Sequence, residues 1–215
     1  MCNLLSWRLF LANEPKEPWF NHLPKETIDE ILKQSGQVFE FKYPKSQVQS
    51  FQLVGESVIS STDHWGTKPS WCPDLLTNTK SEKLIASPFW GKFTKNRILV
   101  PVHSFVEWQA QKTGKKHKFE ITFKNPNTFF AGIWGEEDGQ RWITILTQVA
   151  NEKMKTIHNS GDNKHRQPVV MPDHFQDAWL DPKVTNPKDI TDLLYQFAPD
   201  ETIEVDHNRE ETLFG

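Results

Sequence analysis

The chain has 215 residues, 36% of them hydrophobic and 25% charged, with a formal net charge of -3. That length suits one domain that buries a core without staples, and two cysteines, Cys2 and Cys72, cannot build a disulfide framework. Mean hydropathy is -0.63, no apolar run nears the ~18 residues of a membrane span, and the opening MCNLLSWRLF lacks the parts of a signal peptide, so no membrane protein but a reduced, cytoplasmic one is expected.

In chain order, Pro24 to Gln34 predicts a helix, with Ile28, Ile31 and Leu32 on one face and Gly36 as its stop. Gln37 to Tyr43 and Gln47 to Leu53 predict strands on either side of Pro44. Arg97 to Val102 and Phe105 to Gln109 are short apolar runs that read as strands, or as one strand broken by a turn. Lys118 to Phe123 alternates polar and apolar residues. Its expected partner is Phe129 to Trp134, across the turn Asn125-Pro126-Asn127. Trp142 to Gln148 predicts a further buried strand, and Asn151 opens a short helix through Met154 to Ile157. Pro187 begins a final helix whose buried face carries Ile190, Leu193, Leu194 and Phe197. Strands dominate the middle and helices the flanks. The expected fold is α+β, with a curled, barrel-like mixed sheet.

Charge is unevenly distributed. Lys80 to Lys124 holds ten Lys/Arg against three Asp/Glu, whereas Pro172 to Gly215 holds three against eleven. The densest basic run, KTGKKHK around Gly114, reads as a solvated hairpin tip. It also has the lysine content of a phosphate-facing patch, and basic residues interleaved with Trp and Phe suit single-stranded nucleic acid.

Three residues stand out chemically. Removal of Met1 would leave Cys2 with a free α-amine of pKa roughly 7.7–8.0 beside a thiol of pKa roughly 8.5. Such a pair captures an aldehyde as an imine and then closes a thiazolidine, or attacks acyl groups; the plainer reading of Cys2 is a small core residue. Glu107 interrupts the apolar run PVHSFVEWQ. It is either on a solvated strand face or buried, and burial would raise its pKa into the range useful for proton transfer. His158 ends the helix that Asn151 opens, where it serves either as a partner of the helix C-terminus or as a general acid/base. The remaining histidines show no metal-ligand spacing, and no phosphate loop or nucleophile elbow is present. No metal and no cofactor are expected.

The order of segments is more specific than any one of them. Cys2, WGTKPSW, TNTKSEKL, ILVPVHSFVEWQ, FFAGIW, TILTQVANEKMKTIH and RQPVVM follow one another in a pattern that resembles the SRAP family (SOS-response-associated peptidase, the abasic-site processing proteins). The resemblance runs from residue 2 to about 171, and the acidic part, 172–215, matches only loosely. It implies a single α+β domain over 1–215 that crosslinks covalently to abasic sites in single-stranded DNA. On that basis Cys2, Asn78, Glu107 and His158 are the catalytic residues. Lys80, Ser81, Arg166 and Trp71 are the DNA-binding ones, with the cations on phosphates and Trp71 stacked on a base. The resemblance also implies self-processing that removes Met1, and strand-cleaving lyase chemistry from the imine. A monomer is expected. The same four catalytic residues would also serve a peptidase with an N-terminal cysteine nucleophile, and a non-catalytic single-strand-binding module is the third reading. This chain departs from the family pattern in having Asn3-Leu4 for Gly-Arg, with Arg8 the candidate substitute for the lost arginine. Lys80 stands for the motif arginine, Trp71-Cys72 for an aromatic pair, and NSGDNKH lengthens the segment between His158 and Arg166.

Overall fold

The computed structural model describes residues 5–7, 40–125 and 128–207. Cys2, Arg8, the expected helix at 24–34 and the first half of the strand expected at 37–43 lie outside the described residues. Twelve strands are described: β1 Leu5–Trp7, β2 Glu40–Lys42, β3 Gln47–Val54, β4 Ser57–Trp65, β5 Asn78–Lys80, β6 Arg97–Val102, β7 Ser104–Ala110, β8 Lys116–Phe123, β9 Thr128–Glu137, β10 Gln140–Val149, β11 Arg166–Pro168 and β12 Thr202–Asp206. Four short helices accompany them: α1 Ser81–Ala86, α2 Glu152–Ile157, α3 Asp173–Leu180 and α4 Pro187–Asp192. The fold is α+β, as expected.

β10 is the spine. One edge of it pairs in parallel with β4 (Trp142 beside His64) and then with β5 (Ile145 beside Asn78, Thr147 beside Lys80). The other edge pairs antiparallel with β9 over Gln140–Ile145 and then with β11 over Thr147–Val149. β4 pairs with β3, β3 with β6 and β6 with β9, so the circuit β10-β4-β3-β6-β9 returns to β10. The C-terminal half of β10 thus carries the two short strands, β5 and β11, that bear candidate site residues.

The second sheet is antiparallel, in the order β12-β8-β7-β1-β2. The chain passes from one sheet to the other at His103, whose N–H donates to the Ser6 carbonyl (2.8 Å). The two apolar runs either side of it are therefore separate strands of different sheets. Two cores result. One joins Phe51, Leu99, Phe129 and Leu146 to Leu84, Trp179 and Ile190 of the helices. The other joins Ile98, Val100, Phe130 and Ile145 to Leu5, Phe105 and Ile121 of the second sheet, and to Met154 and Ile157 of α2.

Local chemistry explains the turns. β9 and β10 are joined by Asp138-Gly139, both at positive φ (51° and 75°), the backbone that a two-residue hairpin with native twist requires. The KTGKKHK run is the solvated tip between β7 and β8, with Lys112, Lys115 and Lys116 exposed.

Two expectations are corrected. β8 does not pair with β9: it lies between β7 and β12, while β9 lies between β6 and β10. The burial patterns give the reason. β9 is buried along Thr128–Ile133 and needs the equally buried β6 beside it, whereas β8 is mostly half-buried and suits an outer sheet. Phe123 and Phe130 meet across the sheets instead, ring centroids 5.8 Å apart. The final helix is also shorter than expected. It ends at Asp192 with Leu193 as its C-cap, and Leu194 and Phe197 lie beyond the helix. Side chains capture the carbonyls a longer helix would have used: Gln148 Nε2 donates to Tyr195, and Asn151 Nδ2 to Phe197 (2.8 Å). Pro199 further disfavours helical backbone at Ala198. Leu193 and Phe197 are nevertheless buried.

Arg97 shows how the helices are fastened. It is 2% exposed, its guanidinium donates to the carbonyls of Trp179, Asp181, Thr94 and Val184, and it lies over the Trp179 ring. Arg97→Met removes these donors and leaves buried carbonyls without a partner. Each such loss costs about 1–3 kcal/mol, so urea denaturation should show a loss on the order of 3 kcal/mol or more; a loss under about 1 kcal/mol would show that water replaces the guanidinium.

Candidate active site

Glu107 sits on β7 two residues after Phe105, so both point to the same sheet face, the one packed against the second core. It is 2% exposed. Of the two positions open to it from sequence, it takes the buried one. His158 follows α2 as its C-cap and is 4% exposed. Its Nε2 lies 3.9 Å from Glu107 Oε2, beyond a direct hydrogen bond.

The pair is positioned from several sides. Asn151 caps α2, its side chain accepting from the Met154 N–H (2.9 Å), while its own N–H donates to Gln167 Oε1 (2.9 Å). α2 is then fastened to β7. Gln109 Nε2 donates to the Thr156 carbonyl (2.8 Å), and Asn159 bonds both the N–H and the carbonyl of Ala110 (2.8 and 3.1 Å). His158 Nδ1 lies 3.0 Å from the Arg166 carbonyl and 3.4 Å from the Arg166 N–H; a carbonyl only accepts, so the shorter contact is a donation from Nδ1 and leaves the Nε2 lone pair toward Glu107. The lengthened segment NSGDNKH is a loop closed on itself. The N–H of His165, at φ 61°, returns to the His158 carbonyl (2.8 Å).

Arg166 joins this pair to the β5 end of the site. Its Nη2 donates to the Thr147 carbonyl (2.6 Å), and its two terminal nitrogens grip the Glu82 carboxylate (2.8 Å each). Glu82 follows Ser81, the buried first residue of α1, which itself continues directly from β5. Along β5 the residues alternate. Thr79 bonds Thr144 on β10 (2.8 Å), so Asn78 and Lys80 share the opposite face. Asn78 Nδ2 donates to Thr77 Oγ1 (2.9 Å), and Lys80 is exposed.

The structure therefore brings Glu107 and His158 together, ties Arg166 to His158, and sets Asn78, Lys80 and Ser81 on the neighbouring strand and helix. Trp71 is placed by other contacts. It is 58% exposed and stands edge-on against Phe89, centroids 5.1 Å apart, at the head of a ring series through Trp90 to Trp142. Cys72 is a half-buried free thiol. Clefts of about 460 and 570 Å³ open elsewhere, at Phe123–Phe197 and at Lys45–Trp142, and neither is lined by Glu107 or His158. Among the described residues no group of three or more His, Cys, Asp or Glu is arranged to hold a metal, and no helix is long and apolar enough to cross a membrane. Reasoning from sequence missed Glu82 and Asn159. Glu82 had a signal, a carboxylate two residues after Lys80; Asn159 had none.

Burial raises the Glu107 carboxyl from its ordinary 4.5 to about 7, and burial lowers His158 from 6.5 to about 4. Near neutral pH this is a carboxyl shared between its two forms beside an uncharged imidazole. An α+β scaffold that buries such a Glu–His pair beside a polar strand end offers groups able to exchange protons near neutral pH.

Similarity to known proteins narrows the reading. The family model for SOS response associated peptidase (SRAP) matches residues 8–209, and the chain belongs to that family. It is 32% identical over 149 residues to the abasic site processing protein YoqW of Bacillus subtilis (strain 168), and 30% identical over 149 residues to the abasic site processing protein YoaM of the same organism. The matches cover 64% of this chain and 64% and 63% of those relatives, respectively. Among solved structures, a phage-related protein of Bordetella bronchiseptica superposes with a TM-score of 0.69 at 20% identity, over 97% of this chain and 95% of that one. A protein of Bacteroides thetaiotaomicron superposes with a TM-score of 0.65 at 20% identity, over 77% and 76%. These two show a shared fold.

The two shifts act oppositely on stability. Glu107 binds its proton more tightly in the folded state, so its contribution is present below about 4.5 and is lost as pH rises through 7. His158 binds its proton less tightly when folded, so its contribution is present above 6.5 and is lost as pH falls toward 4. Glu107→Gln removes only the first effect. Its stability relative to the parent should therefore rise between pH 4.5 and 7.5 by on the order of 3 kcal/mol, measured by urea denaturation across that range. A difference independent of pH would mean that Glu107 titrates normally.

Proposed function

We propose that this protein captures abasic sites in single-stranded DNA through a covalent bond to Cys2, once Met1 has been removed by self-processing. The observation that carries the reading is the buried Glu107 beside His158, the pair such chemistry needs. The family and the names of the Bacillus relatives support abasic DNA as the substrate class. Cys2 lies outside the described residues, but its tether is short. Leu5, three residues on, pairs with Phe105, two residues before Glu107, and three residues reach at most about 11 Å.

An abasic sugar rests mainly as a closed hemiacetal, and its opening moves a proton from the C1′ hydroxyl to the ring oxygen. Uncharged His158 is suited to that transfer. The Cys2 amine then adds to the aldehyde carbon. Glu107 relays the two amine protons in turn to the carbinol oxygen, which leaves as water and gives the imine. The thiol proton passes to the imine nitrogen as the sulfur adds to the imine carbon and closes the thiazolidine, for a net loss of one water. Asn78 holds the reacting groups in near-attack geometry. Lys80, Ser81 and Arg166 hold phosphates, and Trp71 stacks on a flanking base. β-Elimination from the imine gives lyase cleavage as a side reaction. The protein acts in this reading as one domain over 1–215 and as a monomer, in the cytoplasm and at the nucleoid when bound to DNA. A peptidase using Cys2 on exogenous peptides is the second reading, favoured by the word peptidase in the family's description.

The test mixes protein with a single-stranded oligonucleotide carrying one abasic site, beside an intact control, on denaturing gels, with mass spectrometry reporting Met1. A heat-stable band with abasic DNA alone, absent in Cys2→Ser, is expected. No band from protein shown to lack Met1 overturns the proposal, and peptide turnover in its place would establish the second reading. Glu107→Gln and His158→Gln should each slow crosslinking by about 10²-fold, and the rise in rate centred near pH 7 should vanish in Glu107→Gln.

A further inference from the structure

Arg166 offers DNA little of its guanidinium. Its side chain is 11% exposed, Nε is buried, and one Nη2 proton is spent on the Thr147 carbonyl. The outward edge of the fork is filled by Glu82, whose carboxylate accepts from Nη1 and Nη2 at 2.8 Å and is itself 54% exposed. Carboxylate and phosphate present the same pair of oxygens to such a fork. The geometry points to Glu82 as a displaceable plug: a backbone phosphate of single-stranded DNA replaces its carboxylate on the Arg166 fork. This rests on the reading of Arg166 as a phosphate-holding residue.

The two anchors of Arg166 differ in kind. The Thr147 carbonyl belongs to β10 and cannot leave, so it keeps the fork aimed when Glu82 departs. Glu82 is a side chain in the first turn of a six-residue helix, half-exposed, so that its carboxylate can turn into solvent when another anion takes the fork. Lys80 and Ser81, immediately before it, would flank the incoming phosphate. The Arg166 fork holds the Glu82 carboxyl below its usual range, so the plug is charged at working pH and competes as an anion. The plug lowers affinity for any DNA backbone alike. Retention then depends on the covalent step at a lesion, and intact strands are released.

The test is equilibrium binding of a lesion-free, fluorescein-labelled single-stranded oligonucleotide to the parent, Glu82→Gln, Arg166→Gln and the double variant, by anisotropy between about 50 and 200 mM KCl. Glu82→Gln should bind about three- to fivefold tighter at the low-salt end. Its slope of log K against log salt should also be steeper, because in the parent the freed Glu82 carboxylate takes up a counterion that offsets part of the release at the phosphate. Both effects should disappear in the Arg166→Gln background. Thermal melting checks each fold, and Glu82→Ala repeats the measurement if Glu82→Gln is perturbed. Unchanged or weaker binding by both Glu82 variants overturns the plug. So does an equal gain with and without Arg166, which would be simple charge repulsion. If Arg166→Gln binds like the parent, the phosphate role of Arg166 fails and the plug with it. If the parent binds no DNA, the proposed function itself fails, and the parent alone reports that.

Discussion

Burying a carboxyl is expensive unless its surroundings hold it in a usable state, and the site is organised around that constraint at Glu107. A lone exposed Glu would be ionised at neutral pH and would serve only as a weak base. With 2% exposure its proton is retained to about pH 7, and a single group can then both accept and return a proton. The burial requires walls. β7 supplies one as a central strand of the second sheet, and α2 supplies another, fastened to β7 through Gln109 and Asn159. His158 completes the enclosure as an uncharged ring, which neither ionises the carboxyl nor repels a cationic amine.

β10 gives the enclosure its second half. Half of the strand closes the ring circuit, and the other half carries β5 and β11, each three residues long. Strands that short have no independent stability. They hold their register because β10 is anchored in both cores through Trp142, Leu146, Ile143 and Ile145. Asn78, Lys80 and Arg166 therefore inherit their positions from a strand that contributes no candidate residue itself.

This division explains what could be read in advance. Glu107 was legible because a carboxylate in an apolar run is anomalous, and Asn151 was legible as a cap. His158 gained meaning only with a partner, and nothing in its own segment named Glu107. The sequence does not predict β1, β4, β5, β11, β12, α1 or α3. β1, β5 and β11 are too short for a period to show, and the SVISSTDHW segment of β4 reads as polar. β8 and β9 are adjacent in sequence but not in a sheet, because burial on both faces draws β9 toward β6. The overlong final helix had the right buried residues, Leu193 and Phe197, on the wrong backbone; side-chain donors from Gln148 and Asn151 ended it. Recognition of the family supplied roles for Asn78 and Arg166 that their local sequence does not carry.

The loop from Ser160 to Lys164 begins after Asn159, which stays tied to Ala110, and one main-chain hydrogen bond, from His165 to His158, closes its neck. Because the neck is fixed by backbone atoms, the position of His158 is insulated from whatever lies between. The loop is a natural site of tolerance: its length and composition can drift over evolutionary time, or accept an inserted reporter peptide, while the imidazole stays in register with its carboxyl partner.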